Sequence, residues 1–588
     1  MTQRKVIAAI AVVSAGALTL SACGSSSKTA TKQDQGATSS VQQFSLGTAQ
    51  DSTGPAVPVT GATKGGTAYD IEPSGFDYLD PTQQYVSNML AISGLYNRTL
   101  TGYKIDAKGN TILVGDLATD TGKLSDGGKT WTWTLKKGLK FQDGTPITSA
   151  DVKYDIERLY LPAQTQGPNY FPLWLSGADY RKVYAGPTGG KSLPDTVIGT
   201  PDAQTVVFHF TEAHADAPYA AAMPPIGAFE ASKESATYNN NPNADGPYQV
   251  SNYVPGKSLQ FVRNPNWDPS TDPIRAAYPD KWSFELGVDN PQLTTRLEQA
   301  TGNDKFALSL STAADASQSD TILNGSQYKS RMVSNYQPYV EYLNINTTRV
   351  TDVRIRKAIA LAFPNQSLQK LYGGPSQLDP GNTLISPTVA GWENADPFNK
   401  TAHPNGDPTA AKALLTQANA VNYKLVFAFA NTPRWQKISV VVQNALQQAG
   451  FQVVLNPIDK TSYYTQVGTV KNTFDIYRTG WGADWPTPYT DVPNLLGGGS
   501  NITDGSPNYS HYNNPATDAA IAQIKLETDV AKAAKEWNDL ANKVIANDIP
   551  QVPFGFDKFL QIYGPGLGGV RYNQVIGTID TGSVFVKQ

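Results

Sequence analysis

Few residues in this chain are spaced for covalent chemistry. The run Ala185-Gly186-Pro187-Thr188-Gly189-Gly190-Lys191-Ser192 fits a relaxed phosphate-binding loop. Such a loop works only when a strand precedes it and a helix opens at the Lys. Pro194 and Asp195 follow here, so a surface loop is expected instead. The four histidines, His209, His214, His403 and His511, show no ligand spacing on a helix, and no metal site or cofactor is expected. A Gly-x-Ser-x-Gly elbow is missing from the sequence. No pair of carboxylates stands out for glycoside hydrolysis, although spacing alone leaves that chemistry open.

The single cysteine, Cys23, is more informative. One thiol excludes an internal disulfide framework and a cysteine-based zinc site. Arg4 and Lys5 precede the short apolar run from Val6 to Leu20, and then comes Leu20-Ser21-Ala22-Cys23. A basic start, an apolar run too short for a comfortable membrane span and small residues before the Cys read as a bacterial lipobox. Residues 1–22 are then a signal peptide, and Cys23 carries the lipid that holds the protein to the outer face of the cell membrane. Residues 23–60 are rich in Ser, Thr, Gly, Ala and Gln, which predicts a flexible tether.

The elements that would position a site are legible further on. Trp131-Thr132-Trp133-Thr134-Leu135 alternates as a half-buried strand should, and Val206, Phe208 and Phe210 do the same. Thr148 and Asp151 are spaced to cap a helix running through Ile156 and Leu159. Asp407-Pro408 is an N-cap pair for the helix through Leu414 and Leu415. Ile438, Val441, Ala445, Leu446 and Ala449 share a helical face that Gly450 ends, and Phe451 to Leu455 reads as a strand. Val530, Ala533, Trp537, Leu540 and Val544 mark a long amphipathic helix. The 588 residues, with 40% hydrophobic and 16% charged content, suit several packed α/β units, and a net charge of −3 offers nothing to nucleic acid.

The segment from Asp126-Gly127-Gly128-Lys129-Thr130-Trp131 through Lys136-Lys137-Gly138-Leu139-Lys140-Phe141 to Asp143-Gly144 and Thr148-Ser149-Ala150-Asp151-Val152 has a family pattern. In the same order come Gly94-Leu95-Tyr96, Gly246-Pro247-Tyr248 with Arg263-Asn264-Pro265-Asn266-Trp267, and Asp352-Val353-Arg354-Ile355-Arg356. Gly480-Trp481-Gly482-Ala483-Asp484-Trp485 and Ile549-Pro550 with Val552-Pro553 complete the series. From about Gly66 to the C-terminus the chain resembles the large extracytoplasmic solute-binding proteins of peptide and nickel ABC importers (family 5, the oligopeptide and dipeptide receptor type). The resemblance implies an α/β, two-lobed periplasmic-binding-protein-like fold of type II, in the large class with an extra domain. Carried over, lobe I holds residues 61–95, 196–314 and 553–588, the extra domain 96–195, and lobe II 315–552, with hinge strands between the lobes.

The resemblance also implies a role without catalysis: a monomer that closes on a small-molecule ligand, a peptide, and delivers it to ABC permease subunits. By position in the family motifs, Asp484 would pair with the ligand's ammonium and Arg478 with its carboxylate, while Trp481, Tyr85 and Tyr96 would face the ligand. One departure is visible: where peptide-binding relatives often carry a second acid, this chain has Thr487 in Trp485-Pro486-Thr487-Pro488. Other members of the family take nickel complexes, sugars or opines, so a non-peptide solute remains an alternative, as do a sensor lipoprotein and a secreted hydrolase.

Overall fold

The computed structural model describes residues 44–106 and 108–588. Cys23 and the expected signal peptide lie outside the described residues. The three largest hydrophobic cores organise the described residues. The first is built on a five-stranded sheet in the order Ala307–Leu308, Thr67–Glu72, Lys281–Leu286, Ser258–Arg263 and Tyr248–Val254. Trp282 and Phe284 alternate inward along their strand and meet Phe261, Ile92, Tyr96 and, from the C-terminal segment, Ile579 and Val584.

The second core packs on a six-stranded sheet: Leu378–Asp379, Gln551–Ile562, Met332–Ile345, Ile476–Gly482, Lys424–Ala430 and Gln452–Ile458. The helices Val353–Ala362, Pro433–Gln448 and Val530–Asn547 bury Ile359, Ile438, Leu446, Trp537 and Val544 in this core. Two of its strands are long. Met332–Ile345 and Gln551–Ile562 give Val340 to Ile345 and Val552 to Phe556 to the second core. Their other ends give Val333 and Phe559 to the first. Their antiparallel register breaks between Tyr336 and Val340, where Pro338 sits in the bulge. Proline cannot donate to the ladder and is confined to such irregularities.

The third core lies under a four-stranded sheet, Lys123–Ser125, Thr130–Thr134, Thr205–His209 and Ile198–Asp202, and a three-stranded one, Phe44–Leu46, Thr111–Gly115 and Thr101–Ile105. Trp131 and Trp133 stack at 5.5 Å, and Phe171, Trp174 and Phe208 pack around them. The helix Ser149–Arg158 faces this core with Val152 and Ile156. Its first turn is fixed because the Thr148 N–H and hydroxyl each donate to the Asp151 carboxylate at 2.8 Å.

Two sequence expectations need correction. Residues 44–60, assigned to the tether by composition, pack on the body. Phe44 pairs with Thr111 in a parallel ladder and its ring lies 5.5 Å from that of Tyr219. Further along, the Gly115 N–H donates to Ser52 Oγ at 2.9 Å and the Val59 N–H to the Tyr278 hydroxyl at 2.8 Å. A segment poor in large apolar residues is held here by backbone pairing to distant strands, which composition does not report. The second correction concerns residues 196–228, expected in lobe I. Trp131 pairs with Phe208 in an antiparallel ladder, and Ile198, Val206, Phe208 and Ala217 to Ala228 are buried in the third core.

Candidate ligand-binding site

The strand Ile476–Gly482 runs antiparallel to Met332–Ile345, with Gly480 opposite Glu341 and Gly482 opposite Tyr339. Both glycines make room. A Cβ on Gly482 would stand 2.3 Å from the Tyr339 ring, so the phenol can lie over the strand only because no side chain is there. Beyond Gly482 the chain leaves the sheet and is pinned by Thr490. The Asp484 N–H donates to Thr490 Oγ1 and the Trp481 indole N–H to the Thr490 carbonyl, each at 3.0 Å.

This pinning aims the Asp484 carboxylate at two phenols that pack against the third core. The Tyr85 hydroxyl, just before the helix Ser87–Tyr96, lies 2.9 Å from both carboxylate oxygens. The Tyr170 hydroxyl, opening the helix Tyr170–Ser176, donates to Oδ2. Burial pushes the Asp484 carboxyl up to about 6, against the pull of the Tyr170 and Tyr85 hydrogen bonds. Burial, and then the Asp484 charge, raise both phenols, which therefore stay neutral donors. Asp491 is buried nearby and is pushed well above the usual carboxylate range by burial and by Asp484. Two phenol protons occupy about two of the roughly four acceptor positions of a carboxylate, so Asp484 can accept more.

Asp484 opens onto a cavity of about 460 Å³. Its walls come from all three cores: Leu90 and Ala91, Tyr219 and Met223, and Tyr339 and Trp481. The C-terminal segment closes it with Ile576, Ile579 and Asp580. The volume falls within the range of about 300–1,000 Å³ usual for small-ligand sites. The walls are mostly apolar and aromatic, with a few polar groups to orient a guest.

The structure brings Asp484, Trp481 and Tyr85 together on this wall and leaves two expected residues out. Arg478 does not line the cavity. Its guanidinium pairs with the Glu341 carboxylate, which also accepts from the Tyr372 hydroxyl at 3.0 Å. The reason lies in Glu341: its buried carboxylate stands on the neighbouring strand opposite Gly480 and needs a cation, which the Arg478 guanidinium supplies. Tyr96 is 1% exposed. Its hydroxyl donates to the Leu79 carbonyl at 2.6 Å, and its ring stacks on Phe261 in the first core. Thr487, the departure from the family pattern, points away from the guest space. It accepts from the Trp485 indole at 3.0 Å and donates to Asp216 at 3.1 Å, tying its loop to the third core.

Tyr170, Tyr339, Tyr219 and Asp580 were not singled out in the sequence. Only Tyr339 had a usable signal, since the glycine opposite it in Gly480-Trp481-Gly482 marks a close approach.

Known proteins place the chain further. The sequence profile described as bacterial extracellular solute-binding proteins, family 5, middle, matches residues 113–503. The chain is 26% identical over 499 residues to the probable D,D-dipeptide-binding periplasmic protein DdpA of Escherichia coli K12, covering 82% of this chain and 87% of that protein. Its fold is similar to that of the clavulanic acid biosynthesis oligopeptide binding protein 2, at a TM-score of 0.83 and 26% identity over 92% of this chain and all (100%) of that one. It is also similar to Haemophilus influenzae OppA in complex with the peptide RPPGFSPFR, at a TM-score of 0.66 and 17% identity over 89% and 99% of the two chains. With the profile spanning about two thirds of the sequence and the sheets arranged as in these two-lobed proteins, the chain belongs to the bacterial extracellular solute-binding proteins of family 5.

Proposed function

We propose that this protein captures a peptide between its lobes, with Asp484 balancing the peptide's ammonium group, and hands it to an ABC import permease. The observation that carries this reading is the Asp484 carboxylate at the wall of a mostly apolar cavity, held by the Tyr85 and Tyr170 hydroxyls, whose rings pack against the third core. An ammonium supplies the charge that burial denies this carboxylate, and exclusion of water by the aromatic walls strengthens the pair. Because the cavity walls come from all three cores, a guest that touches them together favours the closed arrangement over the open one, as ligand-driven closure requires. The two long strands that pass from the first core to the second are the natural hinge.

Two relatives support a peptide guest: the E. coli protein is named a probable D,D-dipeptide-binding protein, and the Haemophilus protein holds the peptide RPPGFSPFR. The family is solute-binding, and the site is read here as a receptor rather than a catalyst. Lipid on Cys23 would keep it at the outer face of the cell membrane, and no described helix is long and apolar enough to cross a bilayer.

Calorimetry with di- to pentapeptides tests the proposal. Free peptides bind wild-type protein, and Asp484→Ala weakens them by about a hundredfold or more, as removal of one partner of a buried ion pair should. Equal binding of blocked and free peptides to the wild type would remove Asp484 from the site. Cys23→Ala should abolish retention in the detergent phase, and unchanged partition would contradict the anchor.

A further inference from the structure

A zwitterionic peptide brings a carboxylate as well as an ammonium, and the cavity treats the two unequally. Among the described residues that line it, three carry formal charge: Asp484, Asp580 and Arg275. Arg275 has four of its five N–H groups engaged and its charge matched. Its Nε donates to the Gly94 carbonyl at 2.8 Å, and its terminal nitrogens donate to Asp272 at 3.1 Å, Asp116 at 2.8 Å and the Asn97 carbonyl at 3.4 Å. Both carboxylates are fully buried, and Arg98 pairs with the same two at 2.8 and 3.8 Å. Two guanidinium groups and two carboxylates thus form a charge-matched quartet behind the wall, with the Lys136 ammonium beside it donating to the Asp116 and Thr271 carbonyls at 2.7 and 3.0 Å.

Asp580 stands on the C-terminal segment of the wall, and its carboxylate accepts from the Gly582 N–H and the Ser583 hydroxyl, each at 3.0 Å. It offers a guest acceptor oxygens and no cation. Arg478, expected from the family pattern to meet a ligand carboxylate, is engaged by Glu341 away from the cavity. The remaining wall is hydroxyl, amide, aromatic and aliphatic. A carboxylate placed there would lose water, find no cation beyond a guanidinium already shared by two carboxylates, and face acidic groups on two sides, a combination that low-dielectric surroundings penalise.

We infer that the cavity selects amine-terminated, apolar ligands that lack a free carboxylate, with short peptide amides as their simplest representatives. This rests on the reading of Asp484 as the ammonium partner and adds to it a rejection rule. Leu-Phe, Leu-Phe amide and N-acetyl-Leu-Phe amide form a sufficient probe set for calorimetry on the wild-type protein at neutral pH. The amide should bind at least about tenfold tighter than the free acid, a difference of about 1.4 kcal/mol. Asp580→Asn should narrow that gap severalfold by removing an acidic group from the wall.

The outcomes separate. If the free acid binds as tightly as the amide or tighter, while the acetylated amide does not bind, the rejection rule is overturned and the peptide reading stands. If the acetylated amide binds as well as the free amine, the ammonium role of Asp484 fails, and the inference falls with it. If none of the three binds, both are overturned. Should Asp580→Asn fail to fold, the acid-to-amide ratio on the wild type still decides the matter.

Discussion

Lowering the pH should weaken ligand binding through one group whose behaviour the structure specifies. The Asp484 carboxyl is raised to about 6 by burial, against the Tyr170 and Tyr85 hydrogen bonds. A group raised in this way is ionised above that value and takes up a proton as the pH falls through it. With an apparent value of about 6, the ionised fraction drops from about nine-tenths at pH 7 to about one-tenth at pH 5. A neutral acid cannot balance an ammonium, so affinity for a free-amine peptide should fall about tenfold, or ~1.4 kcal/mol, over that interval. The ligand does not contribute, since an α-amino group, at about 7.7–8.0, stays protonated throughout. The tyrosines do not contribute either, because burial pushes both phenols upward and away from this range. Calorimetry in buffers of different ionisation enthalpy reads the proton directly: binding should release close to one proton at pH 5 and about a tenth of one at pH 7. Affinity that stays flat from pH 7.5 to 5, with no proton release, would refute the reasoning.

Three further outcomes follow from the same geometry. Asp216 is buried against Thr487 and its carboxyl is pushed up to about 7, so its folded-state value lies above the unfolded one and wild-type stability falls as the pH rises from about 4 to 7. Asp216→Asn should match the wild type near pH 4 and exceed it by up to about 4 kcal/mol above pH 7 in urea unfolding, and a constant difference across pH would contradict this. Arg478→Ala should destabilise the fold by about 3–5 kcal/mol, because Glu341 is left buried without its partner, while the affinity of the folded protein is preserved. A large loss of affinity would return Arg478 to the ligand. Gly482→Ala forces the Tyr339 ring aside and should cost about 1–3 kcal/mol by overpacking, with weaker binding in calorimetry and a lower melting temperature.

Much of the fold was legible because local patterns and tertiary packing agree. The alternation of Trp131 and Trp133 became a buried ladder, the Thr148 and Asp151 spacing became a reciprocal cap, and Gly450 ends its helix at φ +98°. The tether prediction failed between residues 44 and 60 because the hydrogen-bond partners that order this segment are far away in sequence. The site was legible only where a motif is continuous. Asp484 and Trp481 lie in one run, whereas Tyr170 meets Asp484 across 314 residues and carries no local mark of doing so. Arg478 shows the reverse case, a residue in the right motif whose guanidinium is taken by Glu341, a buried carboxylate on the neighbouring strand and far away in sequence. Tyr96 was placed at the ligand by its motif, yet a hydrogen-bonded hydroxyl and a stacked ring put it in the core.

The central claim is that Asp484 and a guest's ammonium recognise each other inside the cavity, and a double-mutant cycle isolates that contact. Calorimetry would compare Leu-Phe amide and its N-acetyl form on wild-type protein and on Asp484→Ala. A direct pair predicts a coupling energy of about 3 kcal/mol or more, with acetylation harmless once the carboxylate is gone. Losses that simply add, leaving a coupling near zero, would contradict the account.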